Sequence, residues 1–188
     1  MRRFAVAAMF LLAVFVATAC VKAGGHGTPA VRTTLEALAN ASDVVVVGMV
    51  QGEAGTRNLA RDPRDPSRED TQTMVLAQDY VIDVAYALKG SVPSSLTVAL
   101  AKWHGASGVP AGRDADFLPL KSGARYVLFL QHLRGAESSV FAQVPEPFRF
   151  VLSEQARVES SWGPARDAFP ARATTQFLAD VKAAIGNP

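Results

Sequence analysis

Apolar positions alternate with polar ones over several short stretches of this chain, and two longer runs do not alternate. Residues 44–50 contain four consecutive valines, Val44 to Val47. Such a run is a poor helix and a good strand, and its lack of alternation predicts burial on both faces. Residues 125–130, Arg-Tyr-Val-Leu-Phe-Leu, predict a second strand of this kind. Between them, Tyr80, Ile82, Val84, Tyr86 and Leu88 alternate with Asp79, Asp83 and alanines, which is a half-buried strand. Lys89, Gly90, Ser91 and Pro93 make a turn, and Leu96, Val98 and Leu100 carry the next strand. Shorter strands are predicted at 139–144, 148–152 and 157–158.

Two helices flank these strands. Thr33 and Glu36 have the spacing of a capping box, and Leu35 and Leu38 give a short stripe, so residues 33–41 predict a two-turn helix. Phe177, Leu178, Val181 and Ile185 mark an amphipathic C-terminal helix. Residues 51–72 change character: mixed charges, two Asp-Pro pairs and almost no large apolar side chain predict a long exposed loop or a disordered insertion. Residues 104–123, rich in Gly and Pro, predict a second loop. About six strands of mostly antiparallel spacing with few helices predict a mainly β fold, a small closed or half-closed antiparallel barrel.

The N-terminus adds an address. Arg2 and Arg3 precede an apolar run over residues 4–17, too short to span a bilayer comfortably and of the length of a secretory h-region. Ala17-Thr18-Ala19 supplies small residues for cleavage, and Cys20, the single cysteine, follows at once. The stretch resembles a bacterial lipobox, with Ala17 where Leu is usual. That resemblance implies lipidation of Cys20 and a membrane partner through an N-terminal lipid anchor, in the outer membrane or the outer leaflet of the cell membrane. Ala17-Thr18-Ala19 also satisfies ordinary secretory cleavage, which would release an unlipidated protein, and a cut after Ala23 would remove the cysteine. The expected organisation is a signal peptide over residues 1–19, a lipidated glycine-bearing tether over 20–32, and one domain over 33–188.

Composition narrows the classes. Without residues 1–19 the chain carries 19 − 2 = 17 basic against 17 acidic side chains. That balance gives no argument for nucleic acid, and no nucleic-acid partner is expected. With no second cysteine there is no disulfide framework, so stability must come from burial.

Candidate chemistry is sparse. His104 follows Trp103 at a strand end and opens a glycine-bearing loop, a position where sites often sit. No second ligand stands at metal spacing, so no metal or cofactor is expected. His26 lies in the tether, and His132 extends a strand as an edge residue. Ser107 lies in Gly105-Ala106-Ser107-Gly108, which is not a nucleophile elbow. Asp114 and Asp116 share one connection with His104, leaving a hydrolase as the competing class. Trp162 stands outside any periodic run, as a surface contact or a lid. Trp103, His104 and Trp162 are therefore the candidate binding residues, and no catalytic set assembles.

Residues 41–43, 84–90 and 123–130, with a strand near Phe150, look like a layout that recurs in secreted bacterial proteins. That layout is similar to the oligonucleotide/oligosaccharide-binding (OB) barrel of metalloproteinase inhibitors, although those carry disulfides. The resemblance spans roughly residues 40–160. It implies an OB-like barrel with a short N-terminal helix and a C-terminal helix, and it raises protease inhibition by analogy of fold. The expected function is an envelope-anchored binding or structural module whose polar loops, at 51–72 and 104–122, meet a protein partner.

Overall fold

The computed structural model describes residues 34–106, 117–133, 135–136 and 138–186. Its order is α1 (Leu35–Ala41), β1 (Val44–Asn58), β2 (Arg61–Asp62), β3 (Asp65–Glu69), β4 (Thr73–Lys89), β5 (Ser95–Ala106), β6 (Arg125–His132), β7 (Val140–Gln143), β8 (Arg149–Leu152), β9 (Arg157–Ser160), a 3-10 turn (Gly163–Ala165), β10 (Arg172–Ala173) and α2 (Thr174–Gly186). The fold is mainly β with two helices. The cap of α1 is Thr34, one residue later than the Thr33 expected: its backbone is extended and its Oγ1 accepts from the Ala37 amide at 3.1 Å. At the other end of α1, Lys89 Nζ donates to the carbonyls of Ala39 (2.7 Å) and Ser42 (2.6 Å). A cation there satisfies orphan carbonyls at the negative end of the helix.

Five strands form a ring in the order β1-β4-β5-β7-β6, closed by pairing of β1 with β6. The expectation of an antiparallel sheet holds for every pair of the ring except β5–β7, which is parallel. β6 divides its second edge between β7 and β8, and β9 and β10 continue the sheet outward from β8. On β6, Leu130 pairs with Val44 of β1 and with Gln143 of β7, and the residue before Gln143, Ala142, leads through Ala99 and Asp79 back to β1 at Gly55. That displacement of about ten residues along one strand is the stagger that a tilted, closed sheet requires.

The runs without alternation are buried on both faces, as their pattern predicts: Val44 to Val47 and Tyr126 to Leu130 are all at most 2% exposed. Outside the ring, Phe150 stacks against Phe129 (5.8 Å), Phe169 (5.3 Å) and Phe177 (4.8 Å), which ties β8 to β6 and α2.

Residues 51–72 are not the loop that their composition suggests. β1 leaves β6 after Met49, and β5 leaves β7 after Ala99, yet both keep pairing with β4. The three strands thus continue past the ring as an arm: residues 50–58, 73–78 and 100–106. At its base Val50, Ala77 and Leu100 are still buried, and beyond them polar cross-strand contacts hold the strands together. Arg57 donates to both carboxylate oxygens of Asp79 at 2.6–2.8 Å, and Gln78 Nε2 donates to the Gly55 carbonyl at 2.6 Å. Asn58 closes the end: its Oδ1 accepts from the Ala60 and Val75 amides, and its Nδ2 donates to the Asp70 and Thr73 carbonyls. β2 and β3 form a small hairpin tip, which returns to the turn after β6. A Cβ on Gly135 would stand 3.0 Å from the Pro66 carbonyl oxygen. β5 likewise runs to Ala106, so residues 104–106 are strand where loop was expected.

Candidate functional site

Cys20, His26, Ser107, Asp114 and Asp116 lie outside the described residues. Trp103 and His104 sit on the arm, opposite Leu76 and Val75 of β4. Trp162 is elsewhere. It is half-buried, packs against the core and precedes the 3-10 turn, with its amide and carbonyl both bonded to the Ser160 hydroxyl at 3.2 Å. Its segment follows β9, which is four strands from β5 in the sheet, so strand pairing does not bring the two tryptophans together. His132 stacks on Phe141 at 4.5 Å, and its amide donates to the Asp43 carboxylate at 2.7 Å.

The sequence reading missed a second group of residues. Arg149, at the start of β8, is 3% exposed. It donates to Glu146 Oε1 at 3.0 Å and to the Leu118 carbonyl, and its guanidinium lies 4.9 Å from the centre of the Phe148 ring. Tyr126 of β6 accepts from the Lys121 amide at 3.2 Å. Tyr80 of β4 is 1% exposed, and its hydroxyl lies near the Leu120 main chain without reaching hydrogen-bond geometry. Residues 117–122 therefore run as a strap over the polar side chains of β4, β6 and β8. The strap reaches β1 as well, where a Cβ on Gly52 would stand 3.9 Å from Ser122 Oγ.

Burial pushes the Tyr80 phenol up to about 12, with the Glu53 carboxylate acting in the same direction. It therefore stays protonated at neutral pH. Burial raises the Glu146 carboxyl above its ordinary range although Arg149 opposes this, and burial lowers Arg149 against the pull of Glu146. Arg149 and Glu146 neutralise each other, so the cluster offers hydrogen-bond donors and acceptors and no net charge. Such an arrangement can hydrogen-bond to polar atoms, and among the described residues it includes no nucleophile with an adjacent base.

A groove of about 350 Å³ separates α1 from α2, lined among others by Leu35, Phe169 and Ala183 and rimmed by the Arg172–Asp180 pair (2.8 Å). Among the described residues no cluster of three or more His, Cys, Asp or Glu side chains is placed to hold a metal, and no helix is long and apolar enough to cross a membrane. No protein-family model matches the chain, and no curated protein is significantly similar to it.

Proposed function

We propose that this chain is an envelope lipoprotein, anchored through Cys20, whose OB-like barrel serves as a binding module for a protein partner. The ring order β1-β4-β5-β7-β6 supports the barrel reading, because a five-stranded closed sheet joined across non-adjacent strands is the architecture of that fold. The observation that carries the functional reading is the arm. Three strands extend past the ring, the side chains of β1 beyond Val50 and of β3 are mostly polar and exposed, and bidentate pairing and an asparagine clamp hold the strands in register. Ordering so polar a segment costs conformational entropy that little apolar burial offsets, which favours a role in presenting a surface. Trp103 and His104 belong to this surface by position, and the partner reads the arm and its tip.

The test is fractionation of cells expressing the chain with and without Cys20→Ala. Lipid labelling and membrane retention should both be lost in the variant, because stable anchoring needs more than one acyl chain. Retention without Cys20 would instead assign the anchor to residues 4–17.

A further inference from the structure

The polar contacts between the strap and the ring are made by the strap's main chain. Arg149 donates to the Leu118 carbonyl and Tyr126 accepts from the Lys121 amide, while Tyr80 faces the Leu120 main chain. The Leu118 side chain is 39% exposed and Pro119 is exposed, so two successive strap side chains take little part; Leu120, 4% exposed, is the apolar plug, and the partly buried Phe117 packs against the core at the start of the strap. The fit is incomplete. Arg149 Nε and Tyr80 Oη are buried and have no hydrogen-bond partner among the described residues. Buried donors left without acceptors are costly, so a segment that satisfied both would be held more tightly than the strap is.

The charge of the cluster selects the acceptor. Glu146 already neutralises Arg149, and the Glu53 carboxylate acts on Tyr80, so an anion is disfavoured and a neutral carbonyl oxygen is favoured. We propose that the end of the ring formed by Tyr80, Tyr126, Glu146 and Arg149 is a groove for the main chain of an extended peptide, occupied in this structure by the chain's own residues 117–122, and that a partner's extended segment displaces them. This rests on the binding-module reading and gives the partner its chemistry: an extended segment with apolar side chains placed as Phe117 and Leu120 are, and few demands on the two residues between them. Reading carbonyls and amides gives affinity with loose sequence preference, and burying two side chains adds specificity. The resident strap acts as a competitor, lowering apparent affinity by the fraction of time it is seated.

The probe is a fluorescent synthetic peptide of residues 117–124 of this chain, titrated into purified full chain in detergent. Wild type should bind it weakly. Leu120→Ala in the chain loosens the resident strap and should tighten peptide binding about tenfold or more, and Tyr126→Phe added to that variant should reverse much of the gain by removing the acceptor for the Lys121 amide. If Leu120→Ala does not fold, Pro119→Gly loosens the strap from its exposed side and gives the same comparison. A peptide N-methylated at Lys121 lacks the amide for Tyr126 and should bind about tenfold worse, while one carrying Leu118→Ser should bind as the parent does. A folded, loosened variant that binds no better than wild type overturns the proposal, as does a peptide whose binding depends on Leu118. Because the isolated chain is titrated, such a failure leaves anchoring and partner binding by the arm untouched.

Discussion

Arg57 and Asp79 stand 22 residues apart in sequence and meet in a bidentate ion pair at 2.6–2.8 Å across β1 and β4. Their side chains are only 27% and 10% exposed, so the pair lies where charge is worth more than at an open surface. Asp79→Ala should cost about 1–3 kcal/mol by urea unfolding. The loss should concentrate in the arm: amide exchange should speed up at residues 52–58 and 73–78 and stay unchanged in β6. Unchanged exchange in the arm would show that backbone pairing alone holds it.

The tip should be dispensable for folding. Ala60 and Asp70 meet at its base, where the Asp70 amide donates to the Ala60 carbonyl at 3.1 Å. Replacing residues 61–69 with a two-residue turn keeps Arg57, Asn58 and Asp79, and should change unfolding free energy by less than about 1 kcal/mol. A larger loss would make the contact between the tip and the Gly135 turn a structural one.

These two relationships show why the arm was illegible in the sequence. Periodicity reports apolar burial, and it located Val44 to Val47, Tyr126 to Leu130 and both helices because those segments bury apolar faces. Residues 51–72 are organised by polar contacts between strands, and nothing in local composition records that Asn58 will meet Val75 or that Arg57 will meet Asp79. The cluster under the strap was hidden for a related reason. Tyr80 and Tyr126 read as core, which they are, and Arg149 reads as the polar start of an apolar strand. A signal was present: a lone arginine between Phe148 and Phe150, with Glu146 three residues before it. Trp162 escaped the pattern because a 3-10 turn, without helical or strand periodicity, seats it on the core.

Glu146 should give a distinctive pH signature. Its carboxyl is raised by burial, so the folded state holds the proton more tightly than the unfolded chain does. Its ionised form therefore disfavours folding, and this penalty shrinks as pH falls from above the raised value to the ordinary carboxylate value of about 4.5. Urea unfolding across that window should show wild type gaining stability relative to Glu146→Gln as pH falls, with a constant difference above and below it. The opposite slope would mean that pairing with Arg149 outweighs desolvation.

Gly90 has φ +74, and a Cβ there would stand 2.7 Å from Val44 Cγ1 and 2.8 Å from the Asp43 carbonyl oxygen. Gly90→Ala should cost about 2–4 kcal/mol, combining backbone strain with overpacking against β1. Gly163→Ala meets open space and should be within about 0.5 kcal/mol of wild type. Equal effects at both sites in thermal unfolding would remove the steric argument for the turn after β4.

The central claim is that a partner protein reads the arm of a membrane-anchored domain. The direct measurement is site-specific photo-crosslinking in intact cells, with the probe at Arg64 on the arm tip or at Lys182 on the exposed side of α2. The account predicts a discrete adduct to another envelope protein from position 64, none from position 182, and loss of the adduct when Cys20→Ala releases the chain. An adduct confined to position 182, or none from either position, would contradict it.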